Sequence, residues 1–160
     1  MGKQIIVGIA DMKMARREGV LITYALGSCI GIALYDPMIH LGALIHIMLP
    51  ELGTMADKNL YKYADTGIRE TVRKMTAFGA VKNRMRAKIA GGAKMFEAKG
   101  SQGLGNIGER NAQNVKKMLR EQGIRLVGED TGANYARTMS MDASDGKVTI
   151  KTFGRPEITM

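Results

Sequence analysis

The stretch CIGIALYDPMIHLGALIHIML, residues 29–49, holds two near-continuous apolar runs joined by the turn-like DPMIH. Asp36-Pro37 marks the reversal, because the proline ring fixes its own backbone and disfavours helix in the residue before it. The flanking Ile, Leu and Tyr suit strands. Apolar residues occupy both parities of each run, so each strand is expected to be covered on both faces.

Upstream of this hairpin, KQIIVGI (3–9) and GVLITYAL (19–26) read as strands, with the charged KMARREG (13–19) connecting them. Downstream, YADTGIRETVRKMTAFG (63–79) places Ile68, Val72, Met75 and Phe78 at helical spacing, with Gly79 as a natural stop. MRAKIAGGA (85–93) reads as a strand running into a glycine-rich loop. NIGERNAQNVKKMLREQG (106–123) is a second helix that begins at Asn111 or earlier and ends at Gly123. IRLVGED (124–130) is a further strand, and ARTMSMDASDGKVTIKTF (136–153) is a hairpin about Asp145-Gly146. Seven or eight strands and two helices predict an α/β (α+β) sandwich, with helices packed on a largely antiparallel sheet. No repeat or linker divides the sequence, so one domain is expected over residues 1–160.

The formal charge is +9, from 24 Lys and Arg against 15 acids, which suits an acidic partner or simple solubility. Nucleic acid is disfavoured as that partner. The basic residues are spread along the chain, and only five Tyr and three Phe are available to stack on bases. A single cysteine cannot form an internal disulfide, which favours a reducing compartment. The N-terminus is too briefly apolar for a signal peptide and no run approaches the ~18 apolar residues of a membrane span. A soluble cytoplasmic protein without membrane insertion is expected. The 13 methionines show no metal-site spacing, and neither a metal nor an organic cofactor is expected.

GLGNIG, Gly103 to Gly108, matches the dinucleotide pattern G-x-G-x-x-G, and Glu129 or Asp130 could serve as the ribose acid. In such a site the glycines turn directly off the strand end, so that the pyrophosphate rests on the helix N-terminus. Here GGAKMFEAKGSQ intervenes, and a capped helix behind a loop explains the segment better.

Cys29 follows Leu-Gly-Ser at the mouth of the first apolar run. It can be a small core hydrophobe or a nucleophile, and for the second role it needs a base within reach. The two histidines are His40, at the tip of the turn, and His46, inside the returning strand. A hairpin about residues 36–40 brings His46 opposite Ile30, give or take one, and leaves His40 on the order of 17 Å away at ~3.3 Å per residue. His46 is therefore the nominated base. The two side chains share a face only in one parity of the register, which sequence does not fix, although a bulge or loop at LGSC could also turn the thiol. The small residues before Cys29 would let main-chain N–H groups approach a substrate oxygen. Thr23, six residues upstream, could accept a hydrogen bond from the imidazole and select its tautomer, or be an ordinary β-branched strand residue.

TYALGSCIGIALYDP (23–37), GALIHIMLP (42–50), KYADTGI (62–68), KIAGGAKMF (88–96), NIGERNA (106–112) and GEDTGANYART (128–138) resemble, in order, segments of the CheD family of chemoreceptor glutamine deamidases. The resemblance runs from about Ile5 to Lys151. It implies a fold like the catalytic domain of cytotoxic necrotizing factor and an amidohydrolase that converts glutamine side chains of methyl-accepting chemotaxis receptors to glutamate. It implies Cys29, His46 and Thr23 as the catalytic residues, and the main-chain N–H groups of Ser28 and Cys29 would hold the oxyanion. It also implies a second partner, the CheC phosphatase, and with it an alternative role as a regulatory adaptor. Ile45 departs from the Asn or Ala that often precedes this histidine in the family and is expected to bear on the pocket wall.

Overall fold

The computed structural model describes residues 3–52, 58–95 and 106–160. The chain runs β1 (Gln4–Ile6), β2 (Asp11–Arg16), β3 (Val20–Leu26), β4 (Ile30–Asp36), β5 (Leu41–Ile47), α1 (Ala64–Ala77), β6 (Arg86–Gly91), α2 (Ile107–Glu121), β7 (Arg125–Thr131), β8 (Arg137–Asp142), β9 (Val148–Lys151) and β10 (Ile158–Thr159). The strands form two five-stranded sheets. An outer sheet has the order β1-β3-β8-β9-β10 and a central sheet the order β2-β5-β4-β6-β7. β1–β3 and β6–β7 pair in parallel and the remaining pairs are antiparallel. This is the expected α+β sandwich with largely antiparallel sheets.

Both faces of the β4–β5 hairpin are buried, as its double-parity pattern requires. One face carries Ile30, Ile32, Leu34, Ile45 and Ile47, which pack with Ile68, Val72 and Met75 of α1 and Val115 and Leu119 of α2. The other carries Ala33, Tyr35 and Leu44, which meet Leu21, Leu26, Met139 and Ile150 of the outer sheet. The order of layers is thus outer sheet, central sheet, helices. Each fully buried Ile or Leu contributes roughly 1.5–3 kcal/mol relative to exposure, so the hairpin anchors both cores. Asp36 accepts from the Met38 N–H at 3.0 Å and pairs with Arg84 at 2.9 Å, which closes the Asp-Pro turn.

Two strands escape the sequence pattern. β2 falls where a charged connection is expected, yet Met12 turns into the core beneath the helices and Ala15 into the core between the sheets, while Lys13 and Arg16 stay in water, as on an edge strand. β10 is only two residues long and is held by reciprocal Val148–Met160 backbone bonds of 2.8 and 2.9 Å. Phe78 was expected on the buried stripe of α1, but the helix ends at Ala77 and the ring is 57% exposed. Gly79, with φ +102°, does terminate the helix. Part of GLGNIG, residues 103–105, lies outside the described residues. Gly108 belongs to the first turn of α2 and packs against Gly92 and Ala93, where an added Cβ would sit 2.5 Å from the Ala93 carbonyl oxygen.

Candidate active site

The chain leaves the outer sheet at the end of β3 and enters the central sheet at β4, and Gly27-Ser28-Cys29 is that crossing. β3 breaks register with β8 between Thr23 and Leu26, and Ala25 takes the left-handed conformation at φ +58°. The bulge turns the strand out of its sheet, and Cys29, half-buried, packs at the edge of the core between the two sheets.

The hairpin register pairs Gly31 with His46 and Ile30 with Ile47, one residue from the expected alignment. Its parity puts Cys29, Gly31 and His46 on the face toward the outer sheet. Gly31 leaves room there: a Cβ at this position would lie 2.7 Å from Met139 Sδ and 3.0 Å from Leu26 Cδ1. Ile45 points the other way, into the core beneath the helices, and does not wall the site. His40 sits at the far end of β5, where its Nδ1 lies 3.1 Å from Tyr35 Oη and 2.9 Å from the Ser144 carbonyl. It tethers the β8–β9 turn and is separate from Cys29.

Thr23 and His46 are both fully buried and meet across the sandwich, Oγ1 to Nδ1 at 2.7 Å. The threonine, named from the sequence as an acceptor for the imidazole N–H, lies on the strand that leads into Cys29 and faces the histidine from the opposing sheet. Thr23 donates its one hydroxyl proton to the Val7 carbonyl, also at 2.7 Å. Its oxygen must then accept from Nδ1–H, which leaves Nε2 as the lone-pair nitrogen. That Nε2 is buried and has no hydrogen-bond partner among the described residues. Backbone bonds hold the ring's strand as well, since Ala10 N–H donates to the His46 carbonyl at 2.8 Å.

Burial lowers the His46 pKa from about 6.5 to about 4. Burial also raises the Cys29 pKa, an effect opposed in part by its own backbone N–H. Both shifts favour the neutral forms, thiol and imidazole.

Three successive carbonyls of the crossing are tied inward. Gly27 accepts from Ala93 N–H at 2.8 Å, Ser28 from Asn111 Nδ2 at 2.9 Å, and Cys29 from Gly92 N–H at 2.9 Å. The glycines of GGA permit this approach: Gly91 has φ +113°, and a Cβ on it would fall 2.2 Å from the Cys29 carbonyl oxygen. Among the described residues, the N–H groups of Ser28 and Cys29 donate to no backbone carbonyl.

Sequence reasoning missed two members of this arrangement. The Val7 carbonyl leaves no side-chain signal. The helix was expected to begin at Asn111 or earlier and begins at Ile107; what went unread is that Asn111 is a buried residue inside it. The available clue was its position on the apolar stripe with Val115, Met118 and Leu119, where a polar side chain needs partners. A groove on the outer face of α1, lined by Thr66, Arg69, Arg73 and Lys82, contains none of these residues. Among the described residues no group of His, Cys, Asp or Glu could hold a metal ion, and no helix is long and apolar enough to cross a membrane.

Fold and site together define a two-sheet α+β protein that carries a cysteine, a histidine and a threonine at a sheet-to-sheet crossing. The family model described as CheD chemotactic sensory transduction matches residues 48–152, beginning just past these three side chains. Full-length relatives span them. A probable chemoreceptor glutamine deamidase CheD of Syntrophomonas wolfei is 48% identical over 98% of this chain and 98% of its own. One of Caldanaerobacter subterraneus is 45% identical over 95% and 94%, and the chemoreceptor glutamine deamidase CheD of Thermotoga maritima is 42% identical over 95% and 94%. The chain belongs to the CheD family. Among solved structures, Neisseria meningitidis protein NMB0706, of the DUF152 family model, superposes with a TM-score of 0.54 at 11% identity. That match covers 82% of this chain and 64% of the other, and it concerns the fold alone.

Proposed function

We propose that this protein is a glutamine deamidase that acts on methyl-accepting chemotaxis receptors through a cysteine thioester. One observation carries the chemistry: a buried imidazole whose tautomer is set by Thr23 and Val7, with its free nitrogen on the same face as the single cysteine. The names of the full-length relatives supply the substrate class.

In this mechanism the glutamine carboxamide enters at the mouth between the sheets. His46 Nε2 takes the Cys29 proton as the sulfur attacks the carboxamide carbon. The Ser28 and Cys29 N–H groups receive the negative charge that develops on the oxygen, and each such donor typically lowers the barrier by ~3 kcal/mol. The imidazolium then returns its proton to the departing nitrogen, the C–N bond breaks and ammonia leaves. Water attacks the remaining thioester while His46 takes its proton, and the proton passes to the departing sulfur, giving glutamate and free thiol. A receptor glutamate methyl ester would follow the same path with methanol as leaving group. No step requires a metal or cofactor.

The test is mass spectrometry of a receptor cytoplasmic fragment after incubation with the protein. A gain of about 1 Da at specific glutamines, with matching ammonia, is the expected result; unmodified glutamines in a folded, fully active preparation of receptor would refute it.

A neutral resting pair sets a pH dependence. His46 acts as base only while unprotonated, and its lowered pKa keeps it so in mild acid. The acid limb of kcat/KM should therefore lie near pH 4 rather than near 6.5. Alkylation of Cys29 by iodoacetamide should keep rising through the alkaline range with no plateau at neutral pH, because burial raises the thiol pKa. A plateau between pH 6 and 8 would show a preformed thiolate–imidazolium pair instead.

A further inference from the structure

We infer that Asn111 is a positioning residue that presets the oxyanion-binding geometry of Cys29. The inference rests on the deamidase reading and names a part of it carried by neither the cysteine, the histidine nor the threonine. Asn111 is fully buried on α2, and its Nδ2 donates to two carbonyls at once, Ser28 and Met48, each at 2.9 Å. Ser28 immediately precedes the candidate nucleophile. Met48 lies two residues beyond His46 and, by continuation of the hairpin register, opposite Cys29. A single amide therefore ties the cysteine-bearing crossing to the strand that carries the base.

The direction of the Ser28 tie matters most. A trans peptide is planar, with its C=O and the following N–H pointing in opposite directions. Drawing the Ser28 carbonyl toward α2 turns the Cys29 N–H away from the helix. That N–H donates to no backbone carbonyl among the described residues. Gly92 and Ala93 hold the neighbouring carbonyls of Cys29 and Gly27 in the same way. Of the three ties, only the one at Ser28 comes from a side chain, and so only it can be removed by substitution without touching the backbone. A hydrogen bond on the Ser28 oxygen also polarises the peptide and strengthens its N–H as a donor.

An oxyanion donor is needed for attack on a carboxamide but not for displacement of iodide by the same sulfur, and this separates positioning from general support of the loop. In Asn111→Leu, which keeps an apolar side chain of similar size in the buried stripe, kcat for receptor-fragment deamidation should fall about 100-fold or more. KM and the iodoacetamide alkylation rate of Cys29 should stay within about threefold of the parent. Asn111→Asp, which sets carboxylate oxygens against two carbonyls, should lose at least as much. A kcat within threefold of the parent overturns the inference, and so does a fall in alkylation that parallels the fall in kcat. Hydrogen exchange of the unsubstituted protein gives a second check that depends on no variant. The Cys29 amide should exchange without protection, and a protected Cys29 amide overturns the inference. A parent protein that alkylates normally but never deamidates would instead sink the deamidase reading.

Discussion

Replacing Cys29 with alanine should abolish ammonia release from receptor fragments, by at least about 10⁴-fold, while the fold survives. The sulfur is the only thiol in the chain, so no other side chain can form the thioester. The residue is half-buried at the rim of a core. Removing one sulfur there should cost no more than about 1–2 kcal/mol of stability. The far-ultraviolet spectrum and thermal midpoint of the variant are the controls. The same variant separates chemistry from association: if the CheC partnership implied by the sequence resemblance holds, Cys29→Ala should still bind CheC while leaving receptor glutamines intact. Residual deamidation at the parent rate would mean that the nucleophile lies elsewhere.

His46→Ala should lower kcat by about 10³-fold, within the range that a positioned general base supplies. It should do so without changing which receptor glutamines are modified. A gentler change one position along the relay, Thr23→Ala, removes the group that orients the ring but not the ring. It should retain activity, with a loss of roughly tenfold, the worth of about 1.4 kcal/mol from one hydrogen bond. His40→Ala should leave catalysis unaffected, because that ring sits at the opposite end of β5. The His46 substitution also has a signature in stability. Its folded pKa of about 4 lies below the value near 6.5 of an unfolded histidine. Between those limits the unfolded chain binds the extra proton, so stability falls as pH drops from about 6.5 to about 4. The total is about 3 kcal/mol. In His46→Ala that portion of the pH–stability curve should flatten, measured by urea denaturation across the window. An unchanged slope would mean that other groups cause the acid sensitivity.

The hairpin was legible in the sequence because its double-sided apolar pattern and Asp-Pro turn leave few alternatives, and both helices were legible from their 3.6-residue periodicity. β2 was not, since an edge strand that buries a single residue on each face resembles a charged loop until its partner strand is known. Between the two histidines, His46 was nominated by distance along a hairpin, a quantity set by ~3.3 Å per residue and by little else. The register that places it opposite Gly31 and leaves His40 beyond the other end of β5 was to that extent readable. What sequence could not supply was the crossing between sheets. Thr23 reaches His46 from across the sandwich, and that contact depends on how two sheets stack, which no local pattern encodes. The roles of Val7 and Asn111 were hidden for a related reason: one acts through its backbone, and the other is an amide inside a helix whose partners, Ser28 and Met48, belong to distant segments.

Because the threonine belongs to one sheet, the histidine to the other and the cysteine to the strap between them, the constellation has no existence in either half of the protein. The outer sheet formed alone would hold Thr23 without the ring it orients, and the central sheet formed alone would hold Cys29 and His46 without the hydroxyl that sets the ring's tautomer. Under the proposed mechanism, the complete set of groups would exist only once the two sheets have stacked.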